Sequence, residues 1–344
     1  MKKRKRLLLW LMLPLIPISV VAQSNRVLSI SGGGSRGAWG GGVAKQLVLD
    51  SGWHYQAIFG TSSGSLLAPM IVLGYLTKNF DNLETGFTDI DQNTIFNKNP
   101  FKKNGEVKGF STLLKLLFGG KNLGETYNLK KRINEFFSPA DYERLRQEHT
   151  IVVSTVSLTT NQLVYRSSDS IPDYDHMVNC AWASANQPIF MTPVPMFGEL
   201  WVDGGVKETV PVKEAINYAR AHKIDSVDVI VLNTPAEHRE KWPAHRKKDN
   251  IIAKILRVFT IFSDEIKVCD IEIGIRSADA GNKVFLQFYF MNEGEYGLAP
   301  NGNLFIRERQ KQLFEKGYTR TFTSNKALGI KTQEINNVKI TIFD

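Results

Sequence analysis

The sequence predicts an α/β fold: a mostly parallel central sheet with helices on both faces, and a nucleophile elbow at a strand-helix turn. Three observations predict it. Residues 26–30 and 55–59 are short apolar runs, each closed by a glycine-rich turn and followed by a helix-like segment, at 38–49 and 65–73. Downstream, strand-like runs at 149–158, 226–232 and 284–290 alternate with helix-like ones at 129–137, 214–222, 251–278 and 304–316. Finally, 344 residues of 42% hydrophobic composition, without repeat or low-complexity linker, can bury one large core.

The chain opens with a leader, predicted at residues 1–22. Lys2-Lys3-Arg4-Lys5-Arg6 is a positive head, 7–21 is apolar, and Val20-Val21-Ala22 offers small residues for cleavage after Ala22. The rival, a retained anchor, meets two prolines in a run shorter than the span of about 20 residues that a membrane requires. The expectation is therefore an exported protein, periplasmic or secreted, with peripheral association with a membrane as a further option. Residues 23–344 then form a single domain, with a motif-bearing core at about 26–215 and a C-terminal elaboration at about 216–344. Of the formal charge of +9, five belong to the leader, and nine less five leaves +4. That balance suits anionic lipid head groups, and no basic-aromatic motif for nucleic acid accompanies it.

The first glycine turn, Ser31-Gly32-Gly33-Gly34-Ser35-Arg36-Gly37, leaves backbone N–H groups unshielded at a helix start. It can cradle a phosphate, hold an oxyanion, or simply turn the chain. The phosphate reading lacks the Gly-Lys-Ser/Thr ending of a P-loop and an acidic residue at the end of the next strand. The second turn, Gly60-Thr61-Ser62-Ser63-Gly64, has the Gly-x-Ser-x-Gly form that puts a serine on a strained turn, with Gly60 and Gly64 clearing space around it.

After the elbow helix, residues 80–100 are rich in Asn, Asp and Thr and read as irregular surface structure. Residues 101–118 interleave cations with apolar side chains and end in a short apolar helix, read either as a lid over Ser62 or as a helix packed on the core. In the helix at 129–137, Leu129, Ile133, Phe136 and Phe137 face inward and Lys130, Lys131 and Arg132 outward. The β-branched run at 149–158 turns through Thr159-Thr160-Asn161 into a second strand at 162–166. A charged loop covers 237–250. Cys180 and Cys269 could pair in an exported protein, or each could be a buried free thiol. The six histidines are scattered without metal-ligand spacing, so neither metal nor cofactor is expected.

A third motif, Trp201-Val202-Asp203-Gly204-Gly205, completes an ordered set. Together with the glycine loop and the elbow, it resembles the patatin-like phospholipase family over roughly residues 26–215. The approach, from Ala183-Ser184 through Pro188 and Phe190 to Pro193, is similar to the family's as well. Two departures are visible: Ser31 stands where the family often has Asp, and the run from Glu208 to Val212 lacks the family's Asn before Pro-Val.

The resemblance implies a lipid acyl hydrolase with a Ser-Asp dyad: Ser62 as nucleophile, Asp203 as proton acceptor, and Gly32, Gly33, Gly34, Arg36 and Gly37 as the oxyanion loop. Gly204 and Gly205 let the Asp203 backbone pass close to the serine. A carboxylate acting directly on a hydroxyl needs a raised pKa, which partial desolvation beside Trp201 and Val202 would supply. The implied partner is a lipid or other acyl ester, with peripheral membrane contact. Oligomeric state is not legible. Three rivals remain: a Ser-His-Asp triad using His176 or His222, a non-catalytic lipid- or protein-binding module, and a nucleotide-binding protein.

Overall fold

The computed structural model describes residues 25–103, 106–109, 118, 120–232, 251–280, 284–299, 302–321 and 340–343. The leader, the charged loop at 237–250 and most of the segment read as a lid lie outside the described residues.

The chain runs β1 (Asn25–Ile30), α1 (Gly37–Leu49), β2 (His54–Gly60), α2 (Ser63–Thr77), α3 (Asp81–Thr88), α4 (Gln92–Ile95), α5 (Tyr127–Phe136) and α6 (Pro139–Glu148). It continues through β3 (Thr150–Ser157), β4 (Leu163–Ser167), α7 (Tyr174–Ser184), β5 (Val194–Met196), β6 (Glu199–Asp203), α8 (Val212–Ala221) and β7 (Ser226–Val231). Last come α9 (Ile251–Asp279), β8 (Phe285–Phe290), α10 (Glu293–Leu298), α11 (Arg307–Thr319) and β9 (Ile340–Phe343).

One sheet in the order β5-β6-β3-β2-β1-β7-β8-β9 holds these strands, and β4 pairs with β3. From β3 through β2, β1, β7 and β8 to β9 every pairing is parallel; β3–β4, β3–β6 and β5–β6 are antiparallel. Strand side chains alternate between two cores. Leu28, Ile30, Ile58, Ile151 and Val153 face a large core completed by α1, α2, α3, α5, α6, α7 and α11. Val27, Ala57, Phe59 and Val152 face the opposite core, which α8 and α9 close. Burial on both faces is why these strands read as continuous apolar runs rather than alternating ones.

Two expectations change. Residues 80–100 contain α3 and α4 instead of irregular surface structure. The polar composition serves as caps: Asp91 accepts from the N–H groups of Asn93 and Thr94, while Leu83, Phe87 and Ile95 are buried beneath. In α5, Leu129 and Ile133 are buried as expected, but Lys130 and Arg132 are half-buried rather than exposed. Their cations lie over the rings of Trp182 and Phe136. The cysteines are free. Cys180 is buried with its Sγ 3.8 Å from the Met196 sulfur, whereas Cys269 is exposed.

Candidate active site

Register on β3 brings the two halves of the site together. β2 ends at Gly60 opposite Val153, where the elbow turns away; β6 arrives antiparallel with Asp203 opposite Thr155, two residues further along. Because β4 spans Val152 to Val156 on the other edge of β3, β6 fills the edge that β2 vacates. The first glycine turn leaves β1 at Ile30, directly beside Gly60 and Ile230. All three motifs therefore meet at the carboxyl ends of the parallel strands, the usual position of sites in open α/β sheets.

Ser62 sits at the apex between β2 and α2 with φ 55° and ψ −122°, in the positive-φ region that ordinary residues avoid. The surroundings over-determine it. Its N–H donates to the Ser184 Oγ at 3.0 Å, and its carbonyl accepts from the Ser65 hydroxyl at 2.6 Å. Gly60 and Gly64 cross at a distance that leaves no room for side chains: a Cβ on Gly60 would lie 2.4 Å from the Gly64 carbonyl group.

Asp203 is buried at the end of β6. Burial pushes its carboxyl up from 3.8 to about 6, opposed by the Gly205 N–H, which donates to Oδ1 at 2.7 Å, and by the Ser62 hydroxyl as a hydrogen-bonding neighbour. Its own N–H donates to the Asn186 carbonyl at 3.0 Å. The segment after α7 thus holds the backbone of both residues, Ser62 through Ser184 and Asp203 through Asn186.

The glycine loop lies against the elbow, with Gly32 so near that a Cβ there would approach the Ser62 Cβ to 3.0 Å. Its N–H groups are not equivalent. Gly32 donates to the Thr209 carbonyl at 3.0 Å and Gly33 to the Ser63 hydroxyl at 3.1 Å. Gly34 and Ser63 border the same cleft, and their N–H groups have no partner among the described residues. The Gly32 N–H thus holds the loop to the turn after Asp203. Arg36 is buried and fixed: its Nε donates to the Ala299 carbonyl at 2.9 Å and its guanidinium lies 4.3 Å from the centre of the Tyr296 ring. Gly37 opens α1 under Phe87. Gly204 lies against Ser154 and Gly205 against the Asp203 carboxylate.

Ser62, Asp203, the glycine loop, Ser63 and Thr209 line a single cleft of about 1430 Å³. Leu66, Met70, Phe87, Leu129, Ile133, Met177, Val178, Ile189 and Phe190 give it an apolar wall. Among the described residues no group of three His, Cys, Asp or Glu side chains is placed to hold a metal. Neither rival histidine borders the cleft. His176 bonds the Asp173 carboxylate at 2.8 Å on the surface, and His222 stacks on Tyr218.

Gly34 combines φ +57° with contact from a distant segment, as a Cβ there would fall 2.1 Å from the Gly302 carbonyl oxygen. Gly34→Ala is expected to cost about 1–3 kcal/mol in stability through strain alone. Thermal unfolding of the variant beside the parent checks it.

A family model of patatin-like phospholipases matches residues 28–216, and the chain belongs to that family. Among solved structures, VipD from Legionella pneumophila is similar at 12% identity and TM-score 0.37, covering 68% of this chain and 52% of that one. The type III effector ExoU is similar at 18% identity and TM-score 0.24, covering 47% of this chain and 40% of that one. The chain thus spans about half the length of these proteins or less. No curated protein matches it. Asp270, Tyr296 and Gly302 also border the cleft and were not read from the sequence, since each lies far along the chain from the three motifs.

Proposed function

We propose that the protein is a serine hydrolase of lipid acyl esters that works through a Ser62–Asp203 dyad without histidine. One observation carries the reading: a strained serine and a buried carboxylate raised to about 6 are hydrogen-bonding neighbours lining one apolar-walled cleft. A carboxylate of ordinary pKa is too weak a base for a serine hydroxyl, so the upward shift is what the chemistry needs. Ser62 Oγ attacks the ester carbonyl while Asp203 takes its proton, and the oxyanion is met by the N–H groups of Gly34 and Ser63 at the head of α2. Gly33 can join them by releasing the Ser63 hydroxyl. The proton on Asp203 then leaves with the alcohol, and water repeats the sequence on the acyl-serine with the same base.

The substrate class is phospholipid, lysophospholipid or simple acyl ester. Peripheral contact with a membrane is supported by the rim, where Phe262, Ile189 and Val206 are 60%, 47% and 42% exposed and border the cleft. Export by the leader at 1–22 would place the enzyme in the periplasm or outside the cell.

The test is ester and phospholipid hydrolysis by the mature protein with divalent metal chelated, alongside fluorophosphonate labelling of Ser62. A folded protein with neither turnover nor label would sink the enzyme reading and favour lipid or partner binding. The pH profile adds a second check. Asp203 is active as the anion, so kcat/KM should rise about tenfold per pH unit below 6 and flatten above it. An acid limb centred near pH 4 would mean that burial does not raise the carboxyl of the base, and a profile with no acid limb at all would remove Asp203 from that role.

A further inference from the structure

We propose that Asp270, on helix α9 and outside the stretch matched by the family model, is a positioning residue that holds the oxyanion loop and the Asp203 loop in register. The proposal rests on the dyad reading and adds to it a group far along the chain.

Asp270 is buried, and a single carboxylate oxygen, Oδ2, accepts from two successive backbone N–H groups, Thr209 at 2.7 Å and Val210 at 2.9 Å. Thr209 is the hub. Its carbonyl accepts the Gly32 N–H, its hydroxyl reaches the Gly205 carbonyl at 3.4 Å, and Gly205 in turn donates to Asp203. One carboxylate thereby ties the backbone of the oxyanion loop to the backbone of the base through a single residue.

The helix is placed for it. One turn beyond Asp270, Gly274 lets α9 close on Val212, since a Cβ at 274 would fall 2.4 Å from the Val212 Cγ1. That contact sets α9 at the height from which Asp270 reaches the turn before α8. Burial pushes the Asp270 carboxyl up to about 7; Glu208 also raises it, while the two backbone N–H groups and Lys267 pull it down. The Tyr165 hydroxyl, on β4, is a hydrogen-bonding neighbour of Glu208 and meets Asp270 through charge alone.

Two measurements test the role. In steady-state hydrolysis, Asp270→Ala should lose about 30- to 100-fold in kcat with KM changed less than threefold, the size expected when a catalytic loop is misplaced by about an ångström. Asp270→Asn keeps an oxygen acceptor at the same position and should restore kcat to within about threefold of the parent. In amide spectra of the parent, the Thr209 and Val210 N–H resonances should titrate together with a midpoint near 7 and stop doing so in Asp270→Asn.

An Ala variant with parental kcat, an Asn variant as impaired as Ala, or a loss confined to KM overturns the positioning role. If Asp270→Ala does not fold, Asp270→Asn decides, and a folded Asn variant that loses more than about tenfold in kcat overturns the proposal. A parent that hydrolyses no ester defeats the dyad reading itself and Asp270's catalytic part with it. An active parent with an unaffected Ala variant defeats only Asp270.

Discussion

Ser62→Ala is expected to lower acyl-ester hydrolysis by about 10⁴-fold or more, to the level left by binding and oxyanion contacts alone. It should abolish fluorophosphonate labelling while leaving the fold intact. The Ser62 side chain is no structural pillar: the hydrogen bonds that hold this residue run through its N–H and carbonyl, and alanine keeps both. The neighbouring serines provide the contrast. Ser63 supplies a hydroxyl that occupies the Gly33 N–H, and Ser65 ties α2 back to the Ser62 carbonyl. Their alanine variants should lose about tenfold, through loop geometry, and should still take the label. Labelled Ser62→Ala protein, or a larger loss at Ser63 than at Ser62, would move the nucleophile elsewhere.

The sequence carried the site unevenly, and the division follows the range of the interactions. The glycine loop, the elbow and Asp-Gly-Gly are local, because each needs backbone to pass where a side chain cannot. Such constraints leave their mark within five to seven residues. Ser184 and Asn186 were visible as part of a familiar stretch, but their work, holding the backbones of Ser62 and Asp203, depends on where α7 lies and has no local pattern. Asp270 is more remote still, a lone acid on a long helix that looks like any solvated charge until α9 is seen against α8. Residues 80–100 failed for another reason: Asn, Asp and Thr mark loops and helix caps alike, and only the spacing of Leu83 and Phe87 separates the two.

Asp203→Asn is expected to separate chemistry from stability. Asparagine still accepts the Gly205 N–H but cannot take a proton from Ser62, so hydrolysis should fall about 10³- to 10⁴-fold with little change in substrate binding. Stability should move the other way. The folded carboxyl titrates at about 6 against an ordinary 3.8, so between those values the native state holds a proton that the unfolded chain has released. Native stability is therefore lost as pH rises through that window, and above about pH 6 the buried anion costs about 3 kcal/mol. The Asn variant avoids that cost. It should melt several degrees above the parent at pH 8, and the difference should shrink to nothing near pH 4. A variant that keeps a tenth of the activity would remove Asp203 from the mechanism. A pH-independent stability difference would mean that burial does not raise this carboxyl, and the dyad would lose the physical feature that lets a carboxylate do a histidine's work.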